Sequence, residues 1–466
     1  MLRFEHVVRD PVHGDVGLTR EELRILDTPE MQRLRDVRQL GTAYLVYPGA
    51  QHSRFEHSIG TAHLAGRIAA EVNAGRARAG GPDLLGYDEQ EVRIVRLAAL
   101  VHDSTHLPFG HNIEDQTGLL PRHDVPERFA HMLSDETGLG RALAATGVRD
   151  EVLGVLAPAA VPAAQQPPAH WRELVAGPLD ADLLDYLQRD ALFTGLRLQV
   201  DPRILAMFRV DRAARCIYVD LVKRGYLRED LLSEVLRCLE MRLHFTERVY
   251  YHHAKIAAGA LVAKAVELAL LHGALDLERL RTATDAGLFD MLSRVRVADP
   301  HARERMRLFV ECFRTRRLPK RVAVYPAYAN AVAQPQLVKR FFGAGSAAER
   351  RRVEDRLGEG VRFAVGHDVP VLLYCPSAAM QLKQARVRVR WPGSDGLAPL
   401  SERAAEVPRL AELERSYGRL WKFYVFALTN DLRALEALAE LCAGEFPGAT
   451  NVLDRRGRGE HAGACA

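Results

Sequence analysis

The 466-residue chain has few cysteines and few lysines. Its six cysteines are scattered without a C-x-x-C pair, so the sequence predicts neither a disulfide framework nor a zinc ribbon and favours a reducing, cytoplasmic setting. Only seven lysines occur, none of them before Lys223, and 64 basic residues against 60 acidic ones leave a net charge of +4. This balance gives no argument for a nucleic-acid partner and none for a membrane surface.

Long apolar runs are also missing. No eighteen uncharged apolar residues follow one another, and the N-terminal sequence MLRFEHVVRD carries charges where a signal peptide needs an apolar run. We therefore expect a protein that has no membrane partner. At this length a core buries roughly three quarters of the extended chain's surface, so the fold needs no structural metal, and a bound metal would be functional.

Helical periodicity dominates the first two thirds of the chain. Helices of ten or more residues are predicted over 28–40, 57–74, 89–103, 179–192, 229–247 and 250–271. Short β-type runs follow at 369–375, 385–391 and 420–428, and the Pro-rich run 156–170 is expected to be an exposed loop. We expect a mainly α fold with a smaller C-terminal α/β lobe, divided into residues 1–200, 201–325 and 326–445 and a flexible tail over 446–466.

Histidine is unevenly distributed, because eight of the 18 histidines lie between His52 and His131. Imidazole suits metal ligation and proton transfer, so a histidine-dense helical segment indicates a metal hydrolase. Any single histidine, however, is more often an ordinary surface or core residue whose hydrogen bonds are satisfied. His102 and Asp103 end the almost wholly apolar helix 93–103. Two ionisable groups at the end of a buried helix need compensation, which either a divalent cation or a buried hydrogen-bonded pair supplies.

The sequence LDADLLDYLQRD over 179–190 carries a polar stripe. On a helix its members share one face: Asp182, Asp185, Tyr186, Arg189 and Asp190. A solvated face is the simpler interpretation. Three carboxylates beside a single arginine instead favour a functional interpretation, in which one of the carboxylates is a metal ligand.

Five motifs, in this order, resemble those of a known family: DPVHGDVGL, LDTPEMQRLRDVRQLG, YLVYPGAQHSRFEHSIGTAHLAG, ALVHDSTHLPFGH and LDADLLDYLQRD. They are similar to the motifs of the HD-domain dNTP triphosphohydrolases, in particular the catalytic core of the animal enzymes that also carry a sterile alpha motif. The likeness covers residues 10 to about 251. It implies that 1–200 form an HD metal-hydrolase core and that 201–325 form a helical extension completing a nucleotide pocket. It also implies cleavage of a dNTP to the deoxynucleoside and inorganic triphosphate.

The resemblance implies a divalent metal held by four residues: His57, His102, Asp103 and Asp182. Two imidazoles and two carboxylates suit Mn, Fe, Mg, Zn or Ni, and the sequence does not choose among them.

Catalytic roles are implied for a second group of residues. His106 and His123 match histidines beside the family's metal, and we expect His106, supported by His123, to transfer the proton to the leaving oxygen. Glu114 is expected to orient the imidazole, and His111 is the competing proton donor.

Substrate contacts are implied for Gln39, Arg54, Tyr186, Asp190, Arg242 and Tyr250. The two arginines match phosphate ligands, whose planar guanidinium groups fit phosphate oxygens. Three residues, Gln39, Tyr186 and Asp190, match those that hold the sugar 3′-hydroxyl. The ring of Tyr250 matches one that excludes the ribose 2′-hydroxyl, with ordinary helix packing as the alternative.

The family also implies regulation by GTP or dGTP in a homo-oligomer, a dimer or a tetramer. Matching residues for one regulatory nucleotide are Asp27, Gln32 and Arg35, and for a neighbouring one Val46, Tyr47, Arg248 and His252. A carboxylate can accept both N–H groups of guanine, which is a physical reason for the aspartate. The alternative is that LDTPEMQRLR, residues 26–35, is simply a capped amphipathic helix.

Four positions depart from the family pattern, and they bear on rate and substrate preference: Leu183 replaces a lysine, Glu114 an aspartate, and Thr105 and Leu107 two glycines. Two other functions stay open. The chain is either a different HD phosphohydrolase, acting on nucleoside mono- or diphosphates, cyclic nucleotides or nucleic-acid ends, or a non-enzymatic nucleotide sensor on an HD scaffold. Among these functions, only the binding of a deoxynucleotide requires Gln39, Tyr186, Asp190 and Tyr250 together.

Overall fold

The computed structural model describes residues 2–80, 82–114, 120–343, 345–376, 380, 382–394 and 396–453. Helices dominate, which confirms the mainly α prediction. In these ranges the helices are α1 (Arg20–Leu26), α2 (Pro29–Arg33), α3 (Arg54–Ala79), α4 (Glu89–Val101), α5 (His111–Glu114), α6 (Pro126–Met132), α7 (Gly138–Ala144), α8 (Arg149–Leu156), α9 (Ala169–Ala176), α10 (Ala181–Thr194), α11 (Glu229–Phe245), α12 (His253–Leu271), α13 (Leu277–Thr282), α14 (Asp285–Arg294), α15 (Pro300–Arg314), α16 (Ala333–Phe342), α17 (Ala347–Val365), α18 (Pro408–Gly418) and α19 (Leu432–Glu445). None of these described helices is long and apolar enough to span a membrane.

The strands form small sheets. They are β1 (His6–Asp10), β2 (Gly14–Leu18), β3 (Leu84–Leu85), β4 (Phe208–Asp211), β5 (Ile217–Asp220), β6 (Val222–Lys223), β7 (Tyr226–Leu227), β8 (Lys320–Pro326), β9 (Val371–Tyr374), β10 (Arg388–Arg390), β11 (Leu397–Pro399) and β12 (Lys422–Ala427). β1 and β2 form an antiparallel hairpin, and so do β6 and β7. A five-stranded sheet has the order β11-β10-β5-β4-β3, and an antiparallel three-stranded sheet has the order β8-β12-β9.

Caps fix the helix ends that carry the histidines and aspartates of interest. Ser53 accepts a hydrogen bond from the backbone N–H of Glu56 and starts α3. Asp88 and Glu91 form a capping box at the start of α4, and Asp180 caps α10. Each cap satisfies backbone N–H groups that a helix start leaves without partners, so these termini are well defined.

Three apolar cores lie along the molecule. The first joins α3, α4, α10 and α11, the second surrounds α12 and α15, and the third lies between the β8-β12-β9 sheet and the helices α16, α17 and α19. The first core also includes Val389 of β10, together with Leu410 and Tyr417 of α18. Because β10 pairs in parallel with β5, residues 382–394 and 396–417 pack on the first core, although the sequence assigns them to the C-terminal lobe 326–445.

The predicted long helix 28–40 is wrong. Asp27 ends α1, Pro29 starts the short helix α2, and a 3-10 turn over Leu34–Asp36 follows. The chain then leaves the helical path because other groups take its backbone donors: the N–H of Arg38 binds Asp285 Oδ2 at 3.1 Å. The single amphipathic helix considered for 26–35 is therefore replaced by the end of α1, the helix α2 and the 3-10 turn.

Residues 446–453, which the sequence assigns to a flexible tail, are packed against the rest of the protein. Phe446 is buried, and the backbone N–H of Thr450 donates to Asn330 Oδ1 at 2.6 Å. Asn451 accepts a bond from the N–H of Val324, so 446–453 is attached to the edge of β8. The rest of the predicted tail, 454–466, lies outside the described residues.

Candidate active site

Three helix ends bring the four predicted metal ligands together. His57 lies in the first turn of α3, Asp182 in the first turn of α10, and His102 and Asp103 directly follow α4. One ligand atom each from His57, His102 and Asp103 lies within 4.8 Å of the others. Asp182 Oδ1 lies 2.9 Å from His57 Nε2 and 3.6 Å from His102 Nε2.

Hydrogen bonds on the far side of each ring select the nitrogen that faces this group. His57 Nδ1 is 2.7 Å from Asp185 Oδ2, and His102 Nδ1 is 2.7 Å from the carbonyl oxygen of Ala99. Both partners are acceptors, so each Nδ1 carries the proton and each Nε2 turns a lone pair toward carboxylates. Both Nε2 atoms are buried without a hydrogen-bond partner in the described structure, and lone pairs that converge with carboxylates fit a divalent cation.

Charge favours the same conclusion. Burial opposes a charged imidazole, yet the carboxylates of Asp182 and Asp185 beside its two nitrogens raise the pKa of His57 to about 10. Burial likewise opposes ionisation of Asp103, but Arg54, 2.6 Å away, and the neighbouring imidazoles hold its pKa well below the usual range. The site therefore favours positive charge between ionised carboxylates.

Three further histidines and a glutamate lie beside the quartet. His106 and His123 stack with ring centroids 3.7 Å apart, and His111 meets both rings edge-on at 5.3 and 5.1 Å. Glu114 Oε2 is 2.7 Å from His123 Nδ1. The carboxylate thus binds His123 directly, whereas its Oε1 lies 3.8 Å from His106, the residue that it was expected to orient.

Two of these imidazoles, those of His106 and His111, are neutral at neutral pH. Burial and the charge of Arg54 hold the pKa of His106 well below its ordinary value. Burial in the cleft and His123 lower the pKa of His111 to about 3. Burial opposes ionisation of Glu114, but its hydrogen bond with His123 and the nearby imidazoles lower its pKa.

A cavity of about 410 Å³ opens onto both groups. Its lining includes all six predicted substrate residues: Gln39, Arg54, Tyr186, Asp190, Arg242 and Tyr250. Tyr250 donates to Asp190 Oδ2 at 2.6 Å, and His52 Nε2 lies 2.9 Å from the other oxygen. The guanidinium of Arg242 lies 5.0 Å from the centre of the Tyr250 ring. Tyr250 is therefore fixed by a polar contact and a cation–π contact, whereas ordinary helix packing needs neither.

Leu183, which replaces the family's lysine, is buried and lies against the same cavity. Five cationic side chains line the cavity: Arg54, Arg122, Arg242, Lys255 and Lys383. Two of the chain's seven lysines thus lie at this cavity, which keeps a positive lining without a lysine at 183.

The sequence analysis missed the residues that hold Asp185. Arg189 binds both oxygens of Asp185, at 2.8 and 2.9 Å, and Asp10 at 2.9 Å. His13 Nε2 lies 2.6 Å from Asp185 Oδ1. Because Asp185 and Arg189 are fully buried, the solvated-face interpretation of the stripe is wrong. The motif DPVHGD, which supplies Asp10 and His13, was the available signal.

The residues matched to regulatory nucleotides lie in two places. Asp27 and Arg35 are exposed, and Arg35 donates to Gln32 at 2.8 Å. The second set is distant in sequence but adjacent in space: Tyr47 donates to the backbone oxygen of Arg248 at 2.8 Å, and the Tyr47 and His252 rings lie 6.4 Å apart. Val46 is half-buried beside Tyr47.

The chain is similar to known proteins over much of its length. The HD domain family matches residues 54–152. An uncharacterized protein of Methanocaldococcus jannaschii is 30% identical over 304 residues, which are 64% of this chain and 57% of that protein. The deoxynucleoside triphosphate triphosphohydrolase SAMHD1 of Danio rerio is 33% identical over 184 residues, 39% of this chain and 27% of that enzyme. The chain thus spans from about a quarter to just over half of these relatives.

A solved structure shows the same fold. It belongs to a hypothetical protein from Aquifex aeolicus, with a TM-score of 0.64 and 22% sequence identity, and the match covers 93% of this chain and 99% of that one. The family match begins at Arg54 and ends before α10, so it includes His57, His102 and Asp103. The chain therefore contains an HD domain with a His/Asp group able to hold a divalent metal, and it is related to deoxynucleoside triphosphate triphosphohydrolases.

Proposed function

We propose that this protein is a metal-dependent dNTP triphosphohydrolase that releases the deoxynucleoside and inorganic triphosphate. The observation that carries the proposal is one cavity whose lining combines the two carboxylates of the His/Asp quartet with a histidine group, several cations and a tyrosine–aspartate pair. Residues 1–200 would supply the HD core and 201–325 the other wall of the pocket.

The quartet His57, His102, Asp103 and Asp182 would hold the cation. A divalent ion bound there would polarise the α-phosphate and activate a water molecule. Asp185 keeps His57 Nε2 directed at the ligand position, and Arg54 holds the Asp103 carboxylate ionised.

The phosphates would lie along the cationic lining. Arg54 and Arg242 offer planar guanidinium groups to the phosphate oxygens. Lys255 and Lys383 add positive charge, which compensates for the family's lysine that Leu183 replaces. His106 would give a proton to the leaving 5′-oxygen. The triphosphate's negative charge favours the protonated imidazole, which offsets the low pKa of His106 in the free protein.

The sugar would lie against Tyr186 and Tyr250. Gln39 and Asp190 can bind the 3′-hydroxyl, and the buried Oε1 of Gln39 has no hydrogen-bond partner among the described residues. The ring of Tyr250, held by Asp190, would exclude a 2′-hydroxyl. This arrangement supports a deoxyribonucleotide substrate in preference to a ribonucleotide.

The test is product chromatography after incubation with each dNTP and each NTP in Mn²⁺ or Mg²⁺. We expect inorganic triphosphate and deoxynucleoside from dNTPs. The control variant His102→Ala/Asp182→Ala should yield neither. Release of monophosphate or pyrophosphate would contradict the proposal, as would equal rates on GTP and dGTP.

Nucleotide activation is a second proposal, supported by the exposure of Asp27 and Arg35 near Gln32 and by the cluster of Tyr47, Arg248 and His252. GTP or dGTP would bridge subunits and raise dNTP turnover, which by mass action favours the assembled state. Sedimentation and dATP hydrolysis with and without GTP test it. Asp27→Ala should abolish both responses, and a wild-type protein indifferent to GTP in size and rate would contradict it.

A further inference from the structure

A buried arginine outside the HD family match holds the backbone that carries His106. Arg33 lies on α2, and its Nη2 donates to the carbonyl oxygens of Ser104 at 3.2 Å and of His106 at 2.7 Å. Its Nη1 donates to the carbonyl oxygen of Ala283 at 2.9 Å, and only 9% of the residue is exposed. The family match begins at Arg54, so this contact joins the HD domain to residues on both sides of it in the sequence.

Two further buried side chains hold the same segment, residues 104–110. Arg128 of α6 donates to the carbonyl oxygen of Thr105, and Asp285, which begins α14, accepts the N–H of Phe109 at 2.8 Å. Phe109 has a left-handed φ of 58°, which a residue other than glycine keeps only where its surroundings impose it. The segment between the metal doublet and α5 is therefore held in one conformation by α2, α6 and α14.

Arg33 forms no salt bridge with a carboxylate of the described residues. Its hydrogen bonds go to backbone carbonyl oxygens, and its buried Nε has no partner in this part of the chain. Burial, followed by the charges of Arg54 and Arg128, lowers the pKa of Arg33 to about 10, so the guanidinium stays charged at neutral pH. A buried cation without a paired anion is unfavourable, and such local conflicts are typical of residues that serve a functional site.

We propose that Arg33 is a positioning residue for His106. By fixing the backbone on both sides of Thr105, it directs the His106 ring into the cavity, with Nε2 3.2 Å from Asp103 Oδ1 and the ring stacked 3.7 Å from that of His123. Arg33 is not among the described residues that line the cavity, so it acts through His106. The role of His106 as proton donor rests on the proposed function, whereas the orientation of its ring does not.

A crystal structure of Arg33→Lys tests the orientation without any substrate. Lysine keeps the charge but lacks the planar fork whose two ends reach Ala283 on one side and Ser104 and His106 on the other. We expect the contact between His106 Nε2 and Asp103 to lengthen beyond hydrogen-bond distance, while the other three ligands of the quartet stay together. Arg33→Gln is the second variant, to be used if Arg33→Lys does not fold. An unchanged His106 ring in the variant structure would overturn the proposal.

A double-variant cycle on dGTP hydrolysis separates positioning from a general structural role. Arg33→Lys should lower kcat about tenfold and leave KM and Mn²⁺ affinity unchanged, because a displaced donor slows proton transfer and not binding. His106→Ala should lower kcat at least as much, and adding Arg33→Lys to it should cause no further loss. The matched control is Arg350→Lys. Arg350 is also buried and binds the carbonyl oxygen of Phe341 at 3.2 Å, but it lies on α17 away from the cavity lining, so kcat should not change.

A further tenfold loss on adding Arg33→Lys to His106→Ala would also overturn the proposal, because Arg33 would then act on another part of the site. The two proposals fail separately. A wild-type protein that does not hydrolyse dNTPs contradicts the proposed function, whereas the position of the His106 ring in the Arg33 variant decides the positioning role alone.

Discussion

At the scale of single residues, Asp185 orients the His57 imidazole within the quartet of His57, His102, Asp103 and Asp182. It binds His57 Nδ1 and is itself fixed by Arg189 and His13. Loss of a carboxylate that orients a metal-binding histidine costs 10- to 100-fold in metal affinity. Asp185→Asn should therefore weaken Mn²⁺ binding, measured by electron paramagnetic resonance, by about that factor. The surface variant Asp290→Asn should not change it, and an unchanged affinity in Asp185→Asn would show that the contact is only structural.

Tyr250 combines a ring and a hydroxyl whose roles can be separated. Tyr250→Phe removes the hydrogen bond to Asp190 and keeps the ring, whereas Tyr250→Ala removes both. If the ring excludes ribose sterically, kcat/KM for GTP should rise about tenfold in Tyr250→Ala and stay low in Tyr250→Phe. A rise of equal size in both variants would assign the discrimination to the hydroxyl instead.

His63 makes the stability of the fold depend on pH. Burial, followed by the nearby His13, lowers the pKa of His63 to about 4. The unfolded chain takes up this proton near pH 6.5 and the folded protein only near pH 4, so the free energy of unfolding falls as the pH drops between these values. After allowance for solvent screening, His63→Gln should remove about 1 kcal/mol of the loss between pH 7 and pH 5 in urea titrations. His131→Gln serves as the control and should leave the pH slope unchanged.

Sequence patterns were sufficient for residues whose chemistry conflicts with their surroundings, such as His102 and Asp103 at the end of an apolar helix. They were insufficient for Asp10 and His13. Neither residue conflicts with its local sequence, and only the folded chain brings them, from 172 residues or more away, to Asp185 and Arg189.

At the scale of elements, the helix starts and ends were the predictable part of the site. The helices that carry His57, His102 and Asp182 begin within about three residues of their predicted starts, because caps and apolar periodicity are local signals. The 28–40 segment failed for the opposite reason. After α2 and the 3-10 turn, the chain is held off the helical path by a hydrogen bond from the N–H of Arg38 to Asp285, which lies 247 residues later.

Helix α3 contains a buried glycine that the carboxylate network requires. A Cβ on Gly60 would overlap Asp185 Oδ1 and the Arg189 guanidinium. Alanine normally stabilises a helix by about 1 kcal/mol relative to glycine. Gly60→Ala should instead lower the free energy of unfolding by about 2 kcal/mol and weaken Mn²⁺ binding, because a displaced Asp185 no longer orients His57.

The matched substitution is Gly444→Ala near the end of α19, where a Cβ would meet no atom within 4 Å. This variant should be neutral or slightly stabilising. Urea denaturation and Mn²⁺ titration of both variants provide the comparison. A stabilised Gly60→Ala protein with normal metal affinity would contradict the role assigned to the network.

At the scale of the whole molecule, the arrangement of the lobes was the least predictable feature. The alternation of 385–391 predicted a strand, and β10 is one, but its partner is β5 of the first core. Which strand pairs with which depends on contacts about 170 residues apart, and no local pattern encodes them. The chain therefore crosses back to the first core before it completes the third with β12 and α19.

A buried ion network joins the second and third cores. Lys264 on α12 lies 2.6 Å from Glu267 and 2.5 Å from Glu354 on α17. Arg350 contacts Glu267 at 3.2 Å, and Glu354 also accepts the backbone N–H of Leu373 in β9. All four charged side chains are at least nine-tenths buried. The network thus ties α12 to the C-terminal sheet.

Removing one partner of this network should destabilise the whole molecule, because it leaves a buried carboxylate without its cation. Lys264→Met should lower the free energy of unfolding by about 3–5 kcal/mol in urea titrations, whereas the exposed Lys339→Met should change it by less than about 0.5 kcal/mol. The double variant Lys264→Met/Glu354→Gln should recover part of the loss, because it removes the uncompensated charge as well. If the double variant is as unstable as the sum of the two single variants, the two residues are not coupled, and packing of the aliphatic stem of Lys264 would account for the effect.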